Sequence, residues 1–160
     1  MEEIENNYPK VLVVDESRSI RESLSTIFKR EYGITGLPVT HQELLTLFLQ
    51  NPKDYSAIIM SLVWVMPEDF SRDEIREADN GQHTWYVIIN RIRNGQDDQN
   101  PGIPILLYTG MPLEKKIDEN TCYLTKPLLP KDLFKKLMDM WGERGHMGIL
   151  PDEDIFSDDK

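Results

Sequence analysis

The sequence predicts an α/β fold, a doubly wound parallel sheet with helices on both faces. Three observations lead there. Short apolar runs alternate with helical spacing five times along the chain, and right-handed crossovers turn such an alternation into a parallel sheet covered on both sides. Ala57 to Met60 is an unbroken apolar run, the pattern of a central strand covered on both faces. Four of the runs end in residues that carry chemistry: Asp15-Glu16, Ser61, Thr109 and Lys126-Pro127. In open α/β sheets the carboxyl edge of the strands is where ligands gather.

The elements follow in order. Residues 1–9 are polar and acidic and read as an N-terminal extension. Val11–Val14 is a buried strand opening into an acidic pair. Ser17 or Ser19 caps a helix whose Ile20, Leu24, Ile27 and Phe28 share a face, and Gly33 stops it. Ile34–Val39 is a second strand, placed at a sheet edge because Pro38 cannot donate to a ladder. A leucine-rich helix spans 41–50 and Asn51-Pro52 ends it. The central strand then runs to Ser61. An enlarged, charged loop at about 64–82 holds a short helix over 73–78. Trp85, Ile88, Ile89 and Ile92 set a helix over 84–93. Ile103–Tyr108 is the fourth strand and Thr121–Thr125 the fifth, and between them there is room for one short helix at most. Pro130 opens the last helix, with Leu133, Phe134, Leu137, Met138 and Trp141 as its apolar face. The folded domain is thus expected over 10–142, followed by an acidic tail over 143–160.

Composition bounds the function. The chain has 160 residues, enough for one domain with a sizeable core. A net charge of −10 argues against a nucleic-acid surface or an anionic membrane face. No apolar run approaches membrane-spanning length, and Met-Glu-Glu-Ile-Glu is the wrong charge for a secretory leader. Cys122 is the only cysteine, so an intramolecular disulfide is impossible. These features point to a soluble cytoplasmic protein. His41, His83 and His146 lack metal-ligand spacing and read as surface residues. No glycine-rich phosphate cradle is present.

An ordered set of short motifs carries a resemblance. Val-Leu-Val-Val-Asp15-Glu16-Ser, the strand-end Thr109 and Tyr123-Leu-Thr-Lys126-Pro127 stand in the order found in the receiver domain of two-component response regulators. The resemblance covers roughly Lys10 to Trp141. It implies a flavodoxin-like sheet of five parallel strands in the order 2-1-3-4-5. It implies that Asp15 and Glu16 stand where the family holds Mg2+, and Thr109 and Lys126 where a hydroxyl and an amine meet the phosphoryl group. Tyr123 stands where an aromatic side chain switches, and Pro127 where a cis bond is common. Three departures accompany it. The phosphoacceptor aspartate aligns with Ser61, or with Val63 if Met66-Pro67 sets the register, and neither is an aspartate. The segment from Ser61 to Thr109 is longer than usual, and that from Thr109 to Tyr123 is shorter.

The function expected is a stand-alone pseudo-receiver, not an enzyme, acting by phosphorylation-independent protein–protein contact in a two-component or phosphorelay setting. The partners implied are a histidine kinase, another regulator or a second copy. No cofactor is required, and Mg2+ binding at Asp15 and Glu16 is expected to be weak, because two carboxylates remain where the family offers three. One alternative is a conventional phosphorelay receiver using an unaligned acceptor such as Asp69 or Asp73. Another, of a different class, is a hydrolase with Ser61 as nucleophile and Lys126 as base. It lacks a G-x-S-x-G elbow, and nearby Asp15 and Glu16 would hold the lysine charged. Lys126 has a plainer expected role as a structural partner of Asp15 or Glu16. The shortened connection between the last two strands is expected to leave apolar surface near Tyr108, Leu113 and Tyr123 open.

Overall fold

The structure, a computed structural model, describes residues 9–62, 66–110, 113, 115–125 and 129–144. Five strands form one parallel sheet in the order β2-β1-β3-β4-β5. They are β1 (Lys10–Val14), β2 (Thr35–Val39), β3 (Ala57–Ser61), β4 (Ile105–Thr109) and β5 (Thr121–Thr125). The three inner strands are apolar at nearly every position because both their faces are covered. Val11 to Val14, Ala57 to Met60 and Ile105 to Leu107 are all fully buried. Alternation along each strand divides these residues between two cores. Pro38 lies in β2 at the sheet edge, as its missing donor requires.

One core is closed by α1 (Arg18–Tyr32) and α5 (Pro130–Arg144). The Ser17 hydroxyl accepts the Ile20 amide at the start of α1, and Gly33 ends the helix in the left-handed region at φ 71°. Leu24 and Phe28 of α1 meet Leu133, Phe134, Leu137 and Trp141 of α5 over Val11, Val13, Ala57, Ile59 and Leu106. The Tyr32 and Phe134 rings stack with centroids 3.9 Å apart. Gly36 allows α1 to lie close on β2, since a Cβ there would come within 3.1 Å of the Ser25 backbone. Trp141 Nε1 donates to the Ser56 carbonyl at 3.0 Å, which ties the end of α5 to the amino edge of β3.

The other core lies under α2 (His41–Gln50), α3 (Arg72–Ala78) and α4 (Thr84–Arg93). Capping boxes open α2, from Thr40 and Glu43, and α3, from Ser71 and Glu74. Asp79, Asn80 and Gly81 have φ of 52°, 59° and 91°, three left-handed residues in a row that turn α3 into α4. Arg91 then fastens the two helices. Its guanidinium donates to Glu74 at 2.6 and 3.1 Å and to Asp69 at 3.2 Å, and lies over the Phe70 ring. Arg93 joins the starts of β4 and β5. It donates to the carbonyls of Pro101, Ile103 and Asn120, to the Thr121 hydroxyl and to Asp118.

The differences from expectation are local. β4 begins at Ile105 and runs to Thr109, because Pro104 has no amide for the ladder. The short helix of the enlarged loop starts at Arg72. α5 runs to Arg144. Between β4 and β5 the described residues, 113 and 115–120, form turns and no helix. Tyr108 is buried, so it adds nothing to an open surface, whereas Tyr123 is exposed. Among the described residues no helix is long and apolar enough to cross a membrane.

Candidate functional site

The carboxyl edge of β1, β3 and β4 gathers Asp15, Ser61 and Tyr108. Asp15 follows the last residue of β1, and its amide donates to the Val39 carbonyl at the end of β2. Its carboxylate is 6% exposed, and both oxygens are engaged. Oδ1 accepts the Ser17 amide at 2.7 Å, and Oδ2 accepts the Tyr108 hydroxyl at 2.5 Å. A charge-assisted bond of this length is among the stronger kinds. Burial, and then the Asp15 hydrogen bond and charge, push the Tyr108 phenol well above its ordinary range, so it keeps its proton and donates it. Ser61 is the register partner of Tyr108 on the adjacent strand. The Ser61 hydroxyl donates to the Val14 carbonyl at 3.4 Å.

Glu16 points elsewhere. Its Oε2 accepts the His41 amide at 3.1 Å and meets His41 Nδ1 at 2.8 Å. His41 is the first residue of α2, so Glu16 places a negative charge at a helix N-terminus. The His41 hydrogen bonds hold the Glu16 carboxyl at about 2, well below its ordinary 4.5, against burial that works the other way. On the far side of the ring, Nε2 lies 2.8 Å from the Ser61 carbonyl. A carbonyl only accepts, so Nε2 carries a proton. His41 is 1% exposed, which corrects its reading as a surface histidine. It clamps the β1 loop to the end of β3. Arg21 closes the back of the cluster by donating to the carbonyls of Asp15 and Glu16.

The structure therefore joins Asp15 to Tyr108, the register partner of Ser61, and turns Glu16 away toward α2. Thr109 is buried at the end of β4, where alternation puts it on the face opposite Tyr108. Tyr123 is exposed on β5. Lys126 and Pro127 lie outside the described residues, and so does the expected pairing of Lys126 with the acidic pair. So does Val63, the alternative acceptor position. Sequence reading missed Tyr108, His41 and Arg21. The signal for Tyr108 was a phenol in an otherwise aliphatic strand, one residue before Thr109 and at the edge shared with an acidic pair.

Mg2+ needs several free oxygen ligands in near-octahedral array. Here Asp15 has a donor on each oxygen, Glu16 is held by His41, and Ser61 brings no carboxylate. Among the described residues, no three side chains of metal-binding type converge. Among the described residues, the donor set does not fit the ion.

At the level of sequence, no family model and no curated protein matches the chain. Solved structures do match. A response regulator receiver domain from Clostridium thermocellum is 18% identical, with a TM-score of 0.60 over 86% of this chain and 97% of that one. A response regulator receiver protein from Pseudomonas putida is 21% identical, with a TM-score of 0.55 over 82% and 96%. The receiver domain of a signal transduction histidine kinase from Syntrophus aciditrophicus is 18% identical, with a TM-score of 0.59 over 84% and 91%. At these identities the likeness is one of fold. The chain has the flavodoxin-like fold of receiver domains, with its strand order.

Proposed function

We propose that the chain is a receiver-like signalling module without a phosphoacceptor, and that it acts by phosphorylation-independent contact with other signalling proteins rather than as an enzyme. The Tyr108 hydroxyl on Asp15 carries this reading. In the fold's usual site a metal-bound acid pair and an acceptor carboxylate face an open space. Here the phenol of Tyr108, the register partner of Ser61, is bonded to Asp15. The group at the acceptor position is a hydroxyl that is 4% exposed and donates to a backbone carbonyl. A serine needs an adjacent base to attack phosphorus or carbon, and the nearby candidates are engaged: Asp15 accepts from Ser17 and Tyr108, and His41 Nε2 keeps its proton on the Ser61 carbonyl. The unaligned acceptors gain no support either. Asp69 is paired with Arg91 and Asp73 with Arg76, both outside this cluster.

The test is phosphotransfer. The full chain incubated with acetyl phosphate and Mg2+ should keep its intact mass. A stoichiometric, hydroxylamine-labile gain of about 80 Da, one phosphoryl group, would overturn the reading in favour of the conventional phosphorelay receiver. Its loss in Asp69→Asn or Asp73→Asn would identify the acceptor.

A further inference from the structure

The flank of α4 beside the start of β5 carries a cavity of about 270 Å3. Trp85, Tyr86, Ile89 and Ile117 form its apolar floor, and Thr121 and Lys116 its edge. The described residues of the β4–β5 connection supply no helix to cover it. Two lysines stand at the rim, with the exposed Glu119 three residues beyond them. Lys115 sits over the Tyr86 ring, 5.1 Å from its centroid, and Lys116 is exposed next to it. Asp118 also lines the cavity, but its carboxylate is already paired with Arg93 at 2.9 Å.

An occupant of matching chemistry lies in the same chain. Beyond Arg144, the last residue of α5, come Ile149-Leu150, Pro151, the acidic run Asp152-Glu153-Asp154, and Ile155-Phe156. The Trp141–Ser56 bond puts the end of α5 at the amino edge of the sheet, beside β3. Thr121 opens β5 at that same edge, two strands away, a lateral distance of roughly 10 Å. Ile155 is eleven residues past Arg144, and extended chain of that length reaches up to roughly 36 Å. That is enough to round the edge of the sheet to the opposite face.

We propose that this groove is the docking site of the chain's own C-terminal segment, with Ile155 and Phe156 on the apolar floor and Asp152, Glu153 and Asp154 against Lys115 and Lys116. The arrangement does not depend on whether the Ser61 site is inert, so its test and the phosphotransfer test fail separately.

Amide hydrogen exchange on the full chain is the experiment. It is run on the parent, on Ile155→Asp/Phe156→Asp and on Lys115→Glu/Lys116→Glu. A tethered segment acts at an effective concentration in the millimolar range, so docking with a Kd below about half that concentration slows exchange by about threefold or more. Both variants should lose that protection at 85–90 and 115–121, with α1 and β1 unchanged. The tail variant alters no residue of the folded body, so misfolding does not confound it. Equal exchange in parent and tail variant would overturn the proposal. Protection that fades on dilution would also overturn it, because the occupant would then be a second copy. So would protection that appears only when another protein is added.

Discussion

At the residue scale, this site is defined by which partner each side chain has found. Asp15 and Tyr108 are 93 positions apart in the chain, and Glu16 and His41 are 25 apart. Local spacing cannot reveal such pairs, because it reports only which face of its own element a residue occupies. The sequence did show that Asp15, Ser61 and Thr109 arrive at one edge, since each follows an apolar run. It did not show that a phenol would take up Asp15, or that a histidine at the start of α2 would draw Glu16 away. The Glu16–His41 pair carries a pH signature. The Glu16 carboxyl titrates near 4.5 when unfolded and at about 2 when folded. A depressed folded value means that its contribution is fully present above about 4.5 and is lost as pH falls toward 2. Urea midpoints of the parent should exceed those of Glu16→Gln at neutral pH, and the gap should close over that window. Glu16 is about a third exposed, so water screens the pair and the gap should be modest. A gap of constant size down to pH 2.5 would mean that the carboxylate does no such work.

At the element scale, apolar periodicity made most of the fold legible. β1, β3 and β4 are apolar runs short enough to read as covered strands, and α4 and α5 show helical spacing over longer stretches. The charged segment before α4 was legible only in part. α3 has a capping box but few apolar residues, so polar pairing to α4 holds it there more than burial does. Arg91 is the main link, and its bonds to Glu74 lower the Glu74 carboxyl from its ordinary range. Arg91→Met should therefore cost roughly 1 kcal/mol, the scale of a partly exposed ion pair. The loss should be local, with faster amide exchange over 67–78 and no change in α5 or β1. Uniformly faster exchange across the sheet would show that α3 belongs to the global folding unit. The β4–β5 connection was less legible, since Pro112 invited a helix start and Asp118 to Asn120 a turn. Among the described residues the turn prevails, with Asp118 accepting the Asn120 amide and the Thr121 hydroxyl.

At the scale of the whole molecule, the sheet has the fold of receiver domains, while Asp15 and Tyr108, and Glu16 and His41, satisfy one another at its carboxyl edge. Ligand linkage can test that closure. An ion that binds the native state and not the unfolded chain stabilises it by RT ln(1 + [L]/Kd), which is about 2.7 kcal/mol at a hundredfold excess over Kd. For a domain of this size each kcal/mol moves the melting temperature by about 2–4 °C. A working Mg2+ site would therefore raise Tm by roughly 5–10 °C at such an excess. Here an ion must first displace the Tyr108 hydroxyl and the Ser17 amide from Asp15 and pull Glu16 from His41, while Ser61 offers it no charge. The cost of breaking those bonds is set against the binding, so Tm should move by less than about 1 °C at millimolar Mg2+, relative to a control of equal ionic strength. The counterpart is Ser61→Asp/Tyr108→Val, which removes the phenol and adds a carboxylate facing Asp15. Two buried carboxylates repel, so this variant should melt lower than the parent without the ion and recover several degrees when Mg2+ is added. A large Mg2+ response in the parent, lost in Asp15→Asn, would show that the edge is open and that the Tyr108 bond yields to a ligand.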